Sequence, residues 1–180
     1  DQIAASFGGF NKIDFGGKPQ FTVKPYVLNS NYEKKLSSNL ILIFTGIARN
    51  ASSVVKKQLN QMKINHQEYK KIHKITLEAD YVLRKNKNPD QLGELLDEHW
   101  KIKRKLSNKI SNTHIDNIYK KAKFNGAIGC KLLGAGAGGF MLIYARKKNQ
   151  KKIIKSLRKY LHVPFNFDHT GSQIIYYSKN

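Results

Sequence analysis

Acidic residues are scarce in this chain: 12 Asp and Glu stand against 33 Lys and Arg, a formal net charge of +21 at pH 7. Such a field attracts anions of every kind, among them nucleic acid, phosphorylated metabolites and acidic membranes. The excess is nearly all lysine spread along predicted helices, with no aromatic interleaving and no arginine cluster. That pattern belongs to a solvated surface more than to a dedicated nucleic-acid site. Cysteine is reduced to Cys130, which excludes an internal disulfide and suits a reducing cytoplasm. Cys130 lies inside an apolar run and reads as a small core residue. No apolar run approaches the eighteen or so residues of a membrane span, and no signal peptide opens the chain. The six histidines form no pair at zinc spacing, so no metal site is expected from this chain alone. His99 falls on an apolar stripe, where a satisfied boundary histidine is expected. A Gly-x-Ser-x-Gly elbow is missing as well.

What the chain does have is a 40% hydrophobic, 11% aromatic composition, enough for a globular domain, and one dense glycine cluster. Gly134, Ala135, Gly136, Ala137, Gly138 and Gly139 lie between two strand-like runs, 127–133 and 139–145. Glycine at this density costs backbone entropy, so the backbone must turn sharply or meet another group closely. A dinucleotide fingerprint needs a helix after the glycines, and here a second strand follows. A Walker-type loop ends in Gly-Lys-Ser/Thr, which Gly138-Gly139-Phe140 does not supply. Two readings of this strand–loop–strand element remain: a tight β connection, or a loop shaped around a ligand.

The rest of the chain reads as follows. Residues 1–9 read as the tail of a helix ending in a glycine stop, Gly8-Gly9. Residues 10–15 and 21–27 form a hairpin across Gly16-Gly17-Lys18-Pro19. Residues 29–39 are a polar linker. Residues 40–44 are a strand buried on both faces, punctuated by Thr45-Gly46. Four helices follow. The first carries Val54, Val55, Leu59 and Met62, and the second Tyr69, Ile72, Ala79 and Leu83. The third starts at Asn88-Pro89 and carries Leu92, Leu95, Leu96, His99, Lys103 and Leu106 on one stripe. The fourth opens on a capping box, Thr113-His114-Ile115-Asp116, and packs through Ile115, Ile118, Tyr119 and Ala122. After the glycine cluster come a lysine-rich helix, with Ile153, Ile154, Leu157 and Leu161 inward, and two short strands, 163–167 and 173–177. The layout is α+β, with helices on one face of a small, mostly antiparallel sheet.

Thr45-Gly46-Ile47-Ala48-Arg49-Asn50-Ala51-Ser52 follows a strand and opens a helix, where outward amides and an arginine suit an anion. Lys101, Lys103, Arg104 and Lys105 around Trp100 read as an exposed helical face, with Trp100 and Leu106 packed.

The segment Gly126-Ala127-Ile128-Gly129-Cys130-Lys131-Leu132-Leu133 and the glycine cluster after it resemble the C-terminal glycine motif of the GHMP small-molecule kinases. Asp1-Gln2, with Ala4-Ala5-Ser6-Phe7-Gly8-Gly9, resembles the segment around that family's catalytic aspartate. Thr45-Gly46-x-x-Arg49-x-Ala51-Ser52 is similar to its heptose-phosphate branch. The resemblance implies an ATP-dependent sugar kinase acting on the anomeric hydroxyl of a heptose 7-phosphate. A related kinase acting on fucose, and a basic nucleic-acid-binding module, are the alternatives. It assigns Asp1 as base or orienting group, Arg49 to the sugar phosphate with Thr45 and Ser52 as lesser contacts, and residues 134–139 to the phosphate side. Residues 1–27 would end the family's N-terminal domain, and residues 28–180 would form its C-terminal domain. The family's Pro-x-Gly-Leu-Gly-Ser-Ser loop, which supplies most of the ATP and Mg²⁺ contacts, is not in this sequence, so the chain alone is expected to be inactive. The implied partners are sugar phosphate and ATP, with no membrane, a homodimer allowed, and a cytoplasmic location. Many members carry glycine where this sequence has Ala137, a mild change if φ stays negative.

Overall fold

A computed structural model describes residues 2–16, 20–48 and 61–178. The predicted helix around Val54, Val55 and Leu59, the hairpin turn, and the candidates Asp1, Arg49 and Ser52 lie outside the described residues. Within them the chain runs α1 (Gln2–Phe7), β1 (Asn11–Phe15), β2 (Phe21–Pro25), α2 (Ser30–Ser38), β3 (Leu40–Phe44), α3 (His66–Arg84), α4 (Asp90–Lys103), α5 (Thr113–Phe124), β4 (Gly129–Leu132), β5 (Phe140–Tyr144), α6 (Lys147–Ser156) and β6 (Leu161–Val163).

Four strands form one antiparallel sheet in the order β4-β5-β3-β6. Its register explains the burial. Ile41 pairs with Ile143 and Ile43 with Met141, while Cys130 and Leu132 continue the same rows on β4. With period-two alternation these residues share one face. That face merges with Ile115, Ile118 and Ala122 of α5 and with Ile153 of α6 and Leu157 just after it, all at most 2% exposed. The opposite rows, Leu40, Leu42 and Phe44, are only half-buried, so β3 is fully buried on one face and not on both. Among the described residues no helix is long and apolar enough to cross a membrane.

Helix α4 lies close against β4 because both elements lack a side chain at the crossing. A Cβ on Gly129 would collide with the carbonyl of Gly93, and one on Gly93 would meet the Tyr144 ring. The α4 residues that face inward are therefore Gly93, Asp97 and Trp100, together with Asp90. The predicted stripe of Leu92, Leu95, Leu96 and His99 is only half-buried. The carboxylate of Asp97 tolerates burial because Lys101 (2.8 Å), Lys123 (3.2 Å) and the Tyr119 hydroxyl (3.1 Å) surround it. Helix α4 starts at Asp90 with Pro89 in the N-cap position, one residue later than Asn88-Pro89 implied, and Asn88 Oδ1 accepts from Asp90 N at 3.1 Å.

Several expectations need correction. Residues 29–39 are not a linker: Asn29 caps α2 by accepting from Asn31 N (2.9 Å), and Tyr32 and Leu36, one turn apart, are buried. Helix α5 is capped by Asn112, not Thr113, because Asn112 is extended and its side chain accepts from Ile115 N at 3.0 Å. Asp116 instead receives Ser111 Oγ (2.7 Å) and Arg104 (3.2 Å). Leu161 begins β6 and is 64% exposed. The last predicted strand is absent: residues 173–177 are irregular, and Ile174 to Tyr177 are exposed.

The expected hairpin forms as β1–β2, with Ile13 opposite Val23. It is tied to α3 through Asp80, which accepts from Tyr26 Oη (2.5 Å), Lys12 Nζ (3.3 Å) and Arg84 Nε (2.6 Å).

Candidate functional site

The glycine cluster closes the β4–β5 connection as a fastened backbone wall. Leu133 N donates to Phe140 O (2.8 Å) at its base. Above that bond, Gly134 (φ 70°), Gly136 (118°), Ala137 (66°) and Gly139 (94°) all occupy left-handed conformations. Glycine meets this demand freely, but Ala137 does not. The condition for a mild change, a negative φ, is not met at this position, and its methyl group stores about 1–2 kcal/mol of strain.

Two neighbours explain why the remaining positions must be bare. A Cβ on Gly136 would stand 2.9 Å from Ile110 Cα, and one on Gly138 would stand 2.6 Å from Ile47 O. The same two residues accept hydrogen bonds from the loop: Ala137 N donates to Ile110 O (2.8 Å) and Gly139 N to Ile47 O (2.9 Å). Thr45, 1% exposed, donates to Gly139 O through both its amide (2.9 Å) and its hydroxyl (2.8 Å). His114 Nε2 meets Thr45 O at 2.8 Å. Lys103 Nζ donates to Gly134 O. Two predicted features, Thr45 and residues 134–139, are thus one assembly. Thr45 acts there as a buried strut, so its part in any site runs through the loop.

A cationic corner adjoins the loop where β4 enters it. Burial, then Lys103, pulls the Lys131 ammonium down to about 8. Burial, then Lys131 and Lys103, pushes His99 down to about 3, so its imidazole is neutral near pH 7. The buried Nδ1 of His99 has no hydrogen-bond partner among the described residues, contrary to the satisfied histidine expected there. The neighbouring basic residues do form a structural face, with Lys101 on Asp97 and Arg104 on Asp116, and Trp100 and Leu106 are packed. Cys130 is fully buried, and desolvation pushes its thiol up.

Among the described residues no group of three His, Cys, Asp or Glu side chains converges. The amides of Ala137 and Gly139 point at protein carbonyls, so they offer no cradle to a triphosphate. The carbonyls of Ile47 and Ile110 carry no sequence signal, since their part is made by backbone, and the His114 ring reaches Thr45 only through the fold.

The α+β fold, an antiparallel sheet with helices packed against it, is that of the C-terminal domain of small-molecule kinases. Residues 79–163 match the family described as GHMP kinases C terminal, and the chain carries a GHMP kinase C-terminal domain. It is 32% identical over 168 residues, 88% of its length, to D-glycero-alpha-D-manno-heptose 7-phosphate kinase of Campylobacter jejuni. It is 28% identical over 93% of its length to the bifunctional fucokinase/GDP-fucose pyrophosphorylase of Arabidopsis thaliana. Among solved structures, the mevalonate kinase of L. major in complex with R-mevalonate shares the fold, with a TM-score of 0.70 and 20% identity, over 96% of this chain and 52% of that one. The chain spans 47% of the Campylobacter relative and 16% of the Arabidopsis one.

Proposed function

We propose that the intact protein transfers the γ-phosphoryl group of ATP to the anomeric hydroxyl of a heptose 7-phosphate in the cytoplasm. The observation that carries this reading is the 32% identity, over 88% of the chain, to the Campylobacter heptose 7-phosphate kinase. In this reading residues 1–27 end the N-terminal domain and residues 28–180 form the C-terminal one. Asp1 takes or orients the proton of the attacking hydroxyl. Arg49, with Ser52, holds the sugar phosphate, and Thr45 contributes by fastening the loop. Residues 134–139 close the site on the phosphate side, while ATP and Mg²⁺ are bound mainly by the remainder of the protein. Phosphoryl transfer depends on positioning and electrostatics, and a wall already fastened needs little reorganisation when charge develops.

In the intact protein, Asp1→Ala should lower kcat by roughly 10²- to 10⁴-fold. Normal turnover would remove Asp1 from the mechanism. Arg49→Gln should raise KM for the phosphorylated sugar and leave KM for ATP unchanged. The Arabidopsis relative supports a second reading, a fucose kinase, in which Arg49 would have no phosphate to hold. Turnover of fucose in preference to heptose 7-phosphate would decide for it.

A further inference from the structure

The opposite end of β5 from the glycine wall opens into a cleft of about 650 Å³ between α2 and the starts of α4 and α6. Lys34 and Lys35 line it from α2, Arg146 and Lys147 from the start of α6, and Asp90 from α4. Four cations therefore face one acid, and that acid is already neutralised. Arg146 Nε and Nη2 lie 2.7 and 2.6 Å from Asp90 Oδ2, and the buried Tyr144 hydroxyl donates to Asp90 Oδ1 at 3.0 Å. Asp90 and the Tyr144 hydroxyl thus hold the guanidinium in a fixed orientation, and its remaining donors are preset. Lys34, Lys35 and Lys147 form no ion pair among the described residues.

A chain with 33 Lys and Arg places cations everywhere, so another cavity is the fair comparison. The cleft of about 680 Å³ between α3 and α4 sets Lys74 and Lys87 against Glu78, Glu94 and Glu98. Two cavities of nearly equal size thus carry opposite charge. Concave walls of low dielectric focus such a field, where a convex lysine surface disperses it into solvent. Linked phosphates bring more charge and more acceptor oxygens than one phosphate, and so match four cations better.

We propose that this cleft binds a small anion carrying two or more linked phosphate groups, held by Arg146 and by Lys34, Lys35 and Lys147. The inference does not depend on kinase activity, so its test can fail without touching the reading above.

The 180-residue chain would be titrated with pyrophosphate and tripolyphosphate by calorimetry, and amide shifts followed by NMR. Saturable binding is expected, tighter for tripolyphosphate, with shifts centred on residues 34–39 and 146–148. Lys34→Gln/Lys35→Gln/Lys147→Gln should weaken it at least about tenfold, as loss of three charge contacts implies. Lys70→Gln/Lys71→Gln/Lys85→Gln removes the same charge from exposed positions on and beside α3 and should change affinity less than about twofold. Both variants keep Arg146, so Asp90 keeps its partner and the fold is not at issue. Equal weakening in the two variants, or shifts spread over every lysine-bearing surface, would overturn the proposal. So would a short DNA duplex that outcompetes tripolyphosphate for the cleft residues, which would make the occupant nucleic acid.

Discussion

The two ends of β5 are stabilised by different kinds of groups. At the Phe140 end, order comes mainly from backbone meeting backbone: the Gly139 amide bonds to Ile47, the Ala137 amide to Ile110 and the Gly139 carbonyl to Thr45, and Gly136 and Gly138 fit there only because they lack side chains. At the Tyr144 end, order comes from side chains: Asn39 Nδ2 donates to Tyr144 Oη (3.0 Å), which donates to Asp90, which holds Arg146. The first arrangement is sensitive to any added atom. The second is sensitive to any lost one.

Removing an atom at the second end should have the largest effect. Asp90→Ala leaves a buried tyrosine hydroxyl and an arginine without their acceptor, and should cost about 2–3 kcal/mol in urea unfolding, less than for a fully buried pair because Arg146 is half in water. A loss under about 0.5 kcal/mol would place the order at that end elsewhere. Adding an atom at the first end should come next. Gly138→Ala forces a Cβ onto the Ile47 carbonyl and should cost about 1–3 kcal/mol, whereas a neutral result would mean that the wall yields.

Protonation sharpens the contrast, because Lys131 carries a charge beside the wall that no acid compensates in the shift of its pKa. Folded, its ammonium deprotonates near 8; unfolded, near 10.5. Between those values the unfolded chain holds more protons, so stability rises with pH, and below 8 the cost of the buried charge is constant and complete. Lys131→Met should therefore be more stable than the parent at pH 7. That advantage should shrink as pH climbs from 8 past 10.5, as paired thermal melts would read. An advantage that does not vary with pH would contradict the assignment. His99 works on the acid side: unfolded it protonates near 6.5 and folded near 3, so it subtracts stability as pH falls through that window.

The smallest effect is a gain. Ala137→Gly relieves a left-handed alanine at about 1–2 kcal/mol but loosens the unfolded chain by about 0.4–1 kcal/mol. A net stabilisation near 0.5 kcal/mol is expected in urea unfolding, and a net loss would mean that the methyl group is packed where the loop needs it.

These contrasts also mark what could be read from the amino acids. The glycine wall was legible because glycine has few other uses at such density. Strand β3 was legible as an apolar run, and α5 as a stripe of Ile115, Ile118 and Ala122. Helix α2 was not, since only Tyr32 and Leu36 are buried in an otherwise polar stretch. The inward side of α4 was hidden for a different reason: Gly93 and Asp97 look like surface residues until β4 and the lysines of two helices are placed around them. The candidate cationic cleft joins residues more than a hundred positions apart, which spacing cannot reveal. Residues 173–177 alternate nothing against a partner strand, and their apolar composition alone misled.

The most direct test is turnover. The intact reading frame containing these residues would be assayed for ATP consumption against a panel of sugars and sugar phosphates. Selective turnover of a heptose 7-phosphate, lost in Asp1→Ala, is the predicted result. No turnover with any sugar or sugar phosphate, from a folded intact protein that binds ATP, would contradict the assignment of this domain to a sugar kinase.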